Sequence, residues 1–457
     1  MSDLPADGLP QPRQFWAVFS TGLGLVMAVL TGTIANIALP TIARDFAVPP
    51  SSAIWVVNSY QLSVTMTLLP LAALGEIFGF RRVYLSGLAI FTAASLACAL
   101  ADNLPMLISA RIAQGIGASG VMSVNSALLR YIYPRRTLGR GFGYNAMIGS
   151  ATGALGPSIA SVVLAVAPWE WLFALNIPFG IAGLLLGWKM LPDTPRAGHT
   201  FDLGSALLNA LAFGGLILGI DAIGEADERK WALALLAMAA GSFIWLVRRQ
   251  LSRPNPLLPV DLMARPVFAL SVTASTFSFA AQGMVWVCLP FYFEDVLHLS
   301  RGETGLLMTP WPLTVAFVAP IAGRLSDRFS AALIGTTGQA VMFTGMLLLF
   351  FLPDTPGFWD IAWRMSFCGI GFGLFNSPNN RAIITSAPAS RSGGASGMQA
   401  TARLMGQTIG TAIVGLLFGL MAGGATRAAL VLAAGFCVVA GVASMARSKE
   451  SDPKRVV

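Results

Sequence analysis

The sequence predicts an all-α polytopic membrane protein: two pseudo-symmetric six-helix bundles with two further helices inserted between them. Three observations carry this. Only 11% of the 457 residues are charged and 55% are hydrophobic, whereas soluble domains carry about 25% charged residues. Apolar windows long enough to span a bilayer recur along the chain, whose mean hydropathy is +0.70. The first six windows repeat as the last six. Spanning strands would be shorter and alternating, so the windows are read as helices.

The elements follow in order. Residues 1–14 are polar and Pro-rich, without the apolar core of a cleavable signal, and read as a short disordered lead-in. Fourteen apolar windows come next: 15–39, 53–75, 83–101, 104–129, 141–167, 171–191, 203–222, 231–249, 267–293, 304–323, 332–352, 359–386, 394–422 and 427–446. Many contain Gly and Pro, which membrane helices tolerate. The expected organisation is an N-terminal bundle over 15–191, an inserted pair with its loops over 192–266, a C-terminal bundle over 267–446 and a tail over 447–457. Cys98, Cys288, Cys368 and Cys437 fall inside apolar windows without metal-ligand spacing, and read as packing residues.

Charge gives the orientation. With the N-terminus in the cytoplasm, 21 of the 29 Lys and Arg residues fall on the cytoplasmic side, 5 on the other and 3 inside spans. The positive-inside rule then places both termini in the cytoplasm. The net charge of +8 faces anionic lipid rather than nucleic acid. Trp16, Trp55, Trp169, Trp171, Trp188, Trp231, Trp245 and Trp359 lie at span ends, as an aromatic belt requires.

One of the three arginines inside spans is Arg111, in ARIAQGIGASG (110–120). Comparing RIAQGIGASGVMSVNSALLRYIYP (111–134) with RMSFCGIGFGLFNSPNNRAIITSAP (364–388) reveals the repeat. A shift of 254 matches Gly115 with Gly369, Gly117 with Gly371, Asn125 with Asn379 and Pro134 with Pro388. Further on it matches Gly143 with Gly397 and Gly156 with Gly410 without a gap. Arg111 and Arg364 then correspond after a one-residue slip. Parallel repeats of this kind are a transporter architecture.

At these residues the chain resembles the major facilitator superfamily, specifically its fourteen-span drug:proton antiporter branch of quaternary-ammonium and methyl viologen resistance type. The likeness covers nearly the whole chain. RIAQGIGAS is similar to that branch's fourth-span motif, which implies that Arg111 takes part in proton coupling. GSATGALGPSIAS (149–161) resembles the fifth-span antiporter motif through Gly149, Gly153, Gly156 and Pro157, with Ala160 and Ser161 in place of the closing glycines. WEWLFALNIPFG, FDLGSALL, LTGTIANIALP and LLMTPWPLTVAFVAPIAGRLSDR also match. Two departures stand out. Thr31 occupies the place of the branch's first-span Asp. In the loop after span 2, Ala72, Glu76 and Ile77 replace Gly, Asp and Arg, while Gly79, Arg81 and Arg82 remain.

The resemblance implies an expectation for function: proton-driven efflux of small lipophilic, possibly cationic compounds by alternating access. The alternative is a proton-coupled symporter or exporter of one metabolite. Arg111 cannot release a proton, so it must hold a carboxylate, water or carbonyl in one state. Glu294, at the end of span 9, is a candidate proton carrier if partial burial raises its pKa. Met27, Thr31, Asn36, Gln282, Trp286, Tyr292 and Trp311 are candidate cavity walls, since aromatics and Met suit flat lipophilic molecules. The gating loops are Glu76 with Arg81 and Arg82, and Asp327 with Arg328. Spans 5 and 13 start with Gly139, Gly141 and Gly143 and with Gly393, Gly394 and Gly397. Such starts expose backbone N–H groups to an anion. Glu76 is therefore expected against the start of span 13, and Asp327 against the start of span 5.

No catalytic cluster is present, so an enzyme is not expected, and no metal or other cofactor is called for. The expected partners are substrate, protons and membrane lipid, with the chain acting as a monomer in a bacterial inner membrane.

Overall fold

Caps and breakers place the helices. Asn103 accepts from Met106 N at 2.9 Å and Pro105 fills the first turn of the helix that follows. Ser330 accepts from Ala332 N at 3.2 Å to start another. Gly79 turns the chain at φ 97°, a conformation other residues rarely adopt. The computed structural model describes residues 7–198, 200–222, 229–251, 253, 256–353, 355–421 and 424–450.

Among the described residues the chain is helical, in a repeating order. The longer helices are α1 (Arg13–Asp45), α2 (Trp55–Phe78), α3 (Phe80–Ala99), α4 (Leu104–Ile132), α5 (Leu138–Val166), α6 (Asn176–Met190), α7 (Leu203–Ala222) and α8 (Arg229–Leu251). They continue as α9 (Pro266–Phe291), α10 (Pro310–Ser326), α11 (Ala331–Phe350), α12 (Phe358–Ser386), α13 (Ser392–Leu420) and α14 (Ala425–Glu450). Each apolar window falls on one of these. Short helices Trp171–Ala174 and Arg301–Met308 precede α6 and α10. Among the described residues, eleven segments are long and apolar enough to cross a membrane, and the apolar stretch Leu203–Gly219 is shorter.

The repeat extends to helix boundaries. Adding 254 carries α4 onto α12, the turn Arg135–Thr137 onto Ala389–Arg391, and α5 onto α13, end for end. Adding 251 carries α3 onto α11. This register corrects the one-residue slip: Arg111 corresponds to Met365, not to Arg364. Met365 is buried, while Arg364 lies on the neighbouring flank.

The helices pack as two compact units. One holds the residues up to Arg135, Thr152–Asp261 and Pro388–Ala400; the other holds Arg136–Ala151, Leu262–Ala387 and the residues from Thr401 onward. The first half of α5 and the beginning of α13 therefore each belong to the unit of the other repeat. Inside the first unit, α4 packs on α1, α2 and α3, and α6 packs on α1 and α3. Inside the second, α12 packs on α9, α10 and α11, and α14 packs on α9 and α11. The same helix pairs thus meet in both.

One of these shared crossings uses matched glycines. A Cβ on Gly117 would lie 2.4 Å from Phe91 N, and one on Gly371 2.4 Å from Met342 N. Small residues at such crossings let backbones touch. α7 and α8 pack on each other, and α7 on α2.

The lead-in differs from its expectation from Asp7 onward. Leu9 is buried, and its N–H donates to Ile132 O at 3.0 Å. Asp7 accepts from Arg135 N at 2.8 Å. The apolar Leu9 and the free carbonyl at the end of α4 hold this segment down.

Candidate functional site

Arg111 lies in the second turn of α4 and is 0% exposed. Its Nε donates to Val56 O at 2.7 Å and its Nη1 to Gln114 Oε1 at 2.6 Å. Gln114 passes the chain on, donating to Ser95 Oγ at 2.8 Å, and Ser95 donates to Phe91 O at 2.8 Å. The guanidinium carbon sits 4.3 Å from the Tyr60 ring centre and 5.5 Å from that of Phe173. Tyr60 in turn donates to Ala28 O at 2.8 Å. One cation thus joins α4 to α2 and α3, and through Tyr60 to α1. Both hydrogen-bond acceptors are neutral, and among the described residues Nη2 has no partner. Ring faces and carbonyl dipoles therefore carry much of the compensation.

Arg364 serves differently. It donates to Leu348 O at 2.7 Å and Phe351 O at 3.1 Å, and pairs with Asp360 at 3.1 Å. It caps the free carbonyls at the end of α11.

Glu76, in the last turn of α2, is 2% exposed. Its Oε1 accepts from Gly394 N at 2.7 Å, and its Oε2 accepts from Arg391 Nη1 at 2.7 Å. The carboxylate can come this close because a Cβ on Gly393 would lie 2.6 Å from Glu76 Cγ. Asp327, directly after α10, accepts from Gly139 N at 2.9 Å. Arg381 lies 3.4 Å and Arg140 3.9 Å from its carboxylate. A Cβ on Gly139 would lie 2.5 Å from Asp327 Oδ1. Each carboxylate meets the positive end of a helix dipole. Glu76 and Asp327 are related by the same shift of 251 as α3 and α11.

The other residues expected in the gating loops divide. Arg81 pairs with Asp193 at 2.8 Å and donates to Trp188 O. Arg82 and Arg328 are exposed. Two contributors escaped the sequence reading. Arg391 counted there only as a loop cation, and Asp261 not at all. A signal existed for Arg391: a cation next to a helix N-terminus opposes the dipole, and so calls for an acidic partner.

In the antiporter motif, a Cβ on Gly149 or Gly153 meets nothing within 4 Å, whereas one on Gly156 would lie 2.3 Å from Thr33 Oγ1. Pro157 lies within α5, its side chain outside the described residues.

The candidate cavity residues are dispersed. Met27 and Thr31 are buried in the first unit, and among the described residues Thr31 Oγ1 has no partner. The side chain of Asn36 lies outside the described residues. In the second unit Gln282 and Tyr292 are half-buried, Trp286 is exposed and Trp311 is enclosed in the core, its ring 6.5 Å from that of Phe372. Glu294 is exposed, without the partial burial expected of it. It lies in the widened turn Tyr292–Val296 at the end of α9.

Comparison with known proteins gives these parts a family. The model described as Major Facilitator Superfamily matches residues 21–411 and 271–456. The chain belongs to the major facilitator superfamily. This transporter is 48% identical over 446 residues to the "Uncharacterized transporter YebQ" of Escherichia coli (strain K12), covering 97% of this chain and 98% of that one. It is 32% identical over 412 residues to the "Multidrug resistance protein Stp" of Mycobacterium tuberculosis (strain CDC 1551 / Oshkosh), covering 88% and 75%. It is 33% identical over 412 residues to the "Riboflavin transporter RibZ" of Clostridioides difficile (strain 630), covering 89% of each. Among solved structures, the human organic anion transporter MFSD10 (TETRAN) shares the fold with a TM-score of 0.69 at 14% identity, over 95% of this chain and 100% of that one.

Proposed function

We propose that this transporter is a proton-driven exporter of small lipophilic compounds, of the fourteen-span drug:proton antiporter branch, working by alternating access. The observation that carries the reading is the repeated contact of Glu76 and Asp327 with the glycine-rich starts of α13 and α5. Each contact joins a segment of one repeat to a segment of the other, so each must break when the repeats part on that side. In this reading both are cytoplasmic latches, and Arg81, Arg82 and Arg328 belong to the loops that bear them. The antiporter motif on α5 and the drug-resistance name of one relative favour export.

Both termini are proposed to be cytoplasmic, in a bacterial inner membrane, with the chain acting as a monomer. The proposed domains are the two bundles 15–191 and 267–446 around the inserted pair. Arg111 is proposed to fix one state by holding the Val56 carbonyl. Glu294, open to water, is proposed to handle protons or cations, and the cavity residues of both repeats to contact the cargo. With Thr31 in place of an acid, cationic cargo is less favoured than neutral cargo.

A second reading, transport of one metabolite, draws on the relative named for riboflavin. Purified protein in proteoliposomes under an imposed pH gradient decides between them. Gradient-dependent movement of several chemically unrelated dyes supports the first reading. Movement of a single metabolite, with no dye moved, supports the second. Transport unaffected by the gradient overturns proton drive.

A further inference from the structure

Both chain segments that flank the inserted pair α7–α8 end on the Glu76 latch. On the way in, Thr194 Oγ1 accepts from Phe80 N at 2.8 Å, and so caps α3 directly after the Gly79 turn. Ala197 N donates to the backbone O of Glu76 itself at 2.7 Å. Asp193 pairs with Arg81. On the way out, Asp261 accepts from Arg391 twice, at 2.9 Å from Nε and 2.8 Å from Nη2. Pro256 O accepts from the same Nη2 at 2.8 Å.

We infer that these two linkers hold the latch closed, with Asp261 acting as the positioning residue that aims Arg391 at Glu76. The inference rests on the reading of Glu76 as a gate, and goes beyond it by making the inserted pair a control element of that gate.

The chemistry of guanidinium explains how. Its five N–H donors lie in one rigid plane. Asp261 takes the Nε–Nη2 edge in a bidentate grip, which fixes the plane as well as the position. Nη1 is then left pointing at Glu76. A single-point contact could not set that direction. Asp261 reaches Glu76 through Arg391, which both carboxylates share.

The inserted pair has a mechanical path to the same place. Asn209 on α7 donates to Met66 O on α2 at 2.9 Å, about three turns from Glu76. Gln250 at the end of α8 donates to Ser205 and accepts from Leu257 N at 2.6 Å, which ties Leu257 to the end of α8. The Asp327 latch is built otherwise. Its cations, Arg381 and Arg140, come from α12 and α5, and among the described residues no linker acid grips them. Control by the insert therefore falls on one latch of the two.

The test uses the full-length protein in native membranes. Ser396, in the first turns of α13, is 1% exposed, and among the described residues its hydroxyl has no partner. Ser396→Cys therefore places a thiol where only an opened latch admits a maleimide. The native cysteines are buried and give a low background. Labelling is compared across Glu76→Gln, Asp261→Asn, Asp261→Glu, Thr194→Val and the Glu76→Gln, Asp261→Asn pair.

Asp261 is a third exposed, so solvent screens part of its hold, and the expected rise for Asp261→Asn is about three- to tenfold. Thr194→Val raises labelling in the same direction. Asp261→Glu restores most of the parent rate, and the pair labels no faster than Glu76→Gln alone. Parent rates for both Asp261→Asn and Thr194→Val beside a raised rate for Glu76→Gln overturn this inference and leave the gate standing. An additive pair means general loosening, and also overturns it. A parent rate for Glu76→Gln removes the gate reading itself, and this inference with it.

Discussion

An arginine at the centre of a membrane helix costs about 2.5 to 3.5 kcal/mol on insertion scales. At position 111 the structure shows what offsets that cost: a carbonyl, an amide oxygen and two ring faces, all neutral. The planar fork matters more than the charge. A lysine keeps the charge but reaches Val56 O or Gln114, not both. Losing one buried charge-assisted bond costs about 1.5 to 3 kcal/mol. Arg111→Lys is therefore expected to insert normally and to lose about ten- to a hundredfold in gradient-driven efflux, read as an initial rate per amount of protein in the membrane. Parent rates from Arg111→Ala would show that the fork has no part in transport. The same scale explains why Arg364 misled the alignment. Short Gly-rich segments align on identity, and identity drew arginine to arginine. Helix boundaries put Met365 opposite Arg111 instead.

Helices were the most legible level of the sequence, because hydropathy over twenty residues averages out local noise. Breaks inside apolar runs were not. The chain stops and restarts at Leu175 and Thr309 inside apolar runs, so a hydropathy window passes over both, although Pro310 marks the second restart. The linker acid Asp261 was equally invisible, since nothing in a loop sequence reveals which distant arginine it grips. Two predictions belong at this level. At Gly117 any side chain meets the backbone of Phe91, which cannot yield as a flexible side chain would. Gly117→Val is expected to destabilise by about 1 to 3 kcal/mol, the range for overpacking, and to lower the melting temperature in detergent. Gly241→Ala in α8, where a Cβ meets nothing within 4 Å, should not lower it.

The second concerns Asp202, which caps α7 and pairs with Arg249 of α8 at 3.0 Å. Partial burial pushes its carboxyl up, but hydrogen bonds from Arg249 and Ser205 outweigh this and hold it at about 2, below its ordinary 3.8. Its folded pKa is depressed, so its stabilising effect is complete above about 4 and disappears as pH falls through about 2. Asp202→Asn should melt earlier than the parent at neutral pH. The two melting curves should converge as the pH approaches 2, and a gap that persists there would assign the effect to shape rather than charge.

For the whole molecule, the duplicated architecture was readable from an ungapped run of matched Gly, Asn and Pro. The reciprocal grouping of the starts of α5 and α13 was not, because it depends on which residues pack together rather than on which resemble one another. Under the proposed gate, each carboxylate at a helix start favours the latched state by roughly 0.3 to 2 kcal/mol. Neutralising both with Glu76→Gln and Asp327→Asn should shift the population toward the cytoplasm-open state. Faster labelling of Met147→Cys in the first half of α5 would register the shift. Equal rates in the parent and the pair would mean that the carboxylates do not govern opening.

The hydrogen bonds of Glu76 also bear on how the protein comes into being. The carboxylate and the arginine that neutralises it are 315 residues apart in the chain. A ribosome adding about 5 to 20 residues each second takes some tens of seconds to cover that distance. Throughout that interval α2 ends in a carboxylate without its cation, next to helices already entering the bilayer. The nascent first unit stays incomplete until residues 388–400 emerge. A transcript cut before codon 388 would yield a polypeptide that carries every helix of the N-terminal repeat and is still missing a piece of its own first unit. Such a fragment is expected to be cleared by quality-control proteases, and to be rescued when the remaining codons are supplied as a second polypeptide.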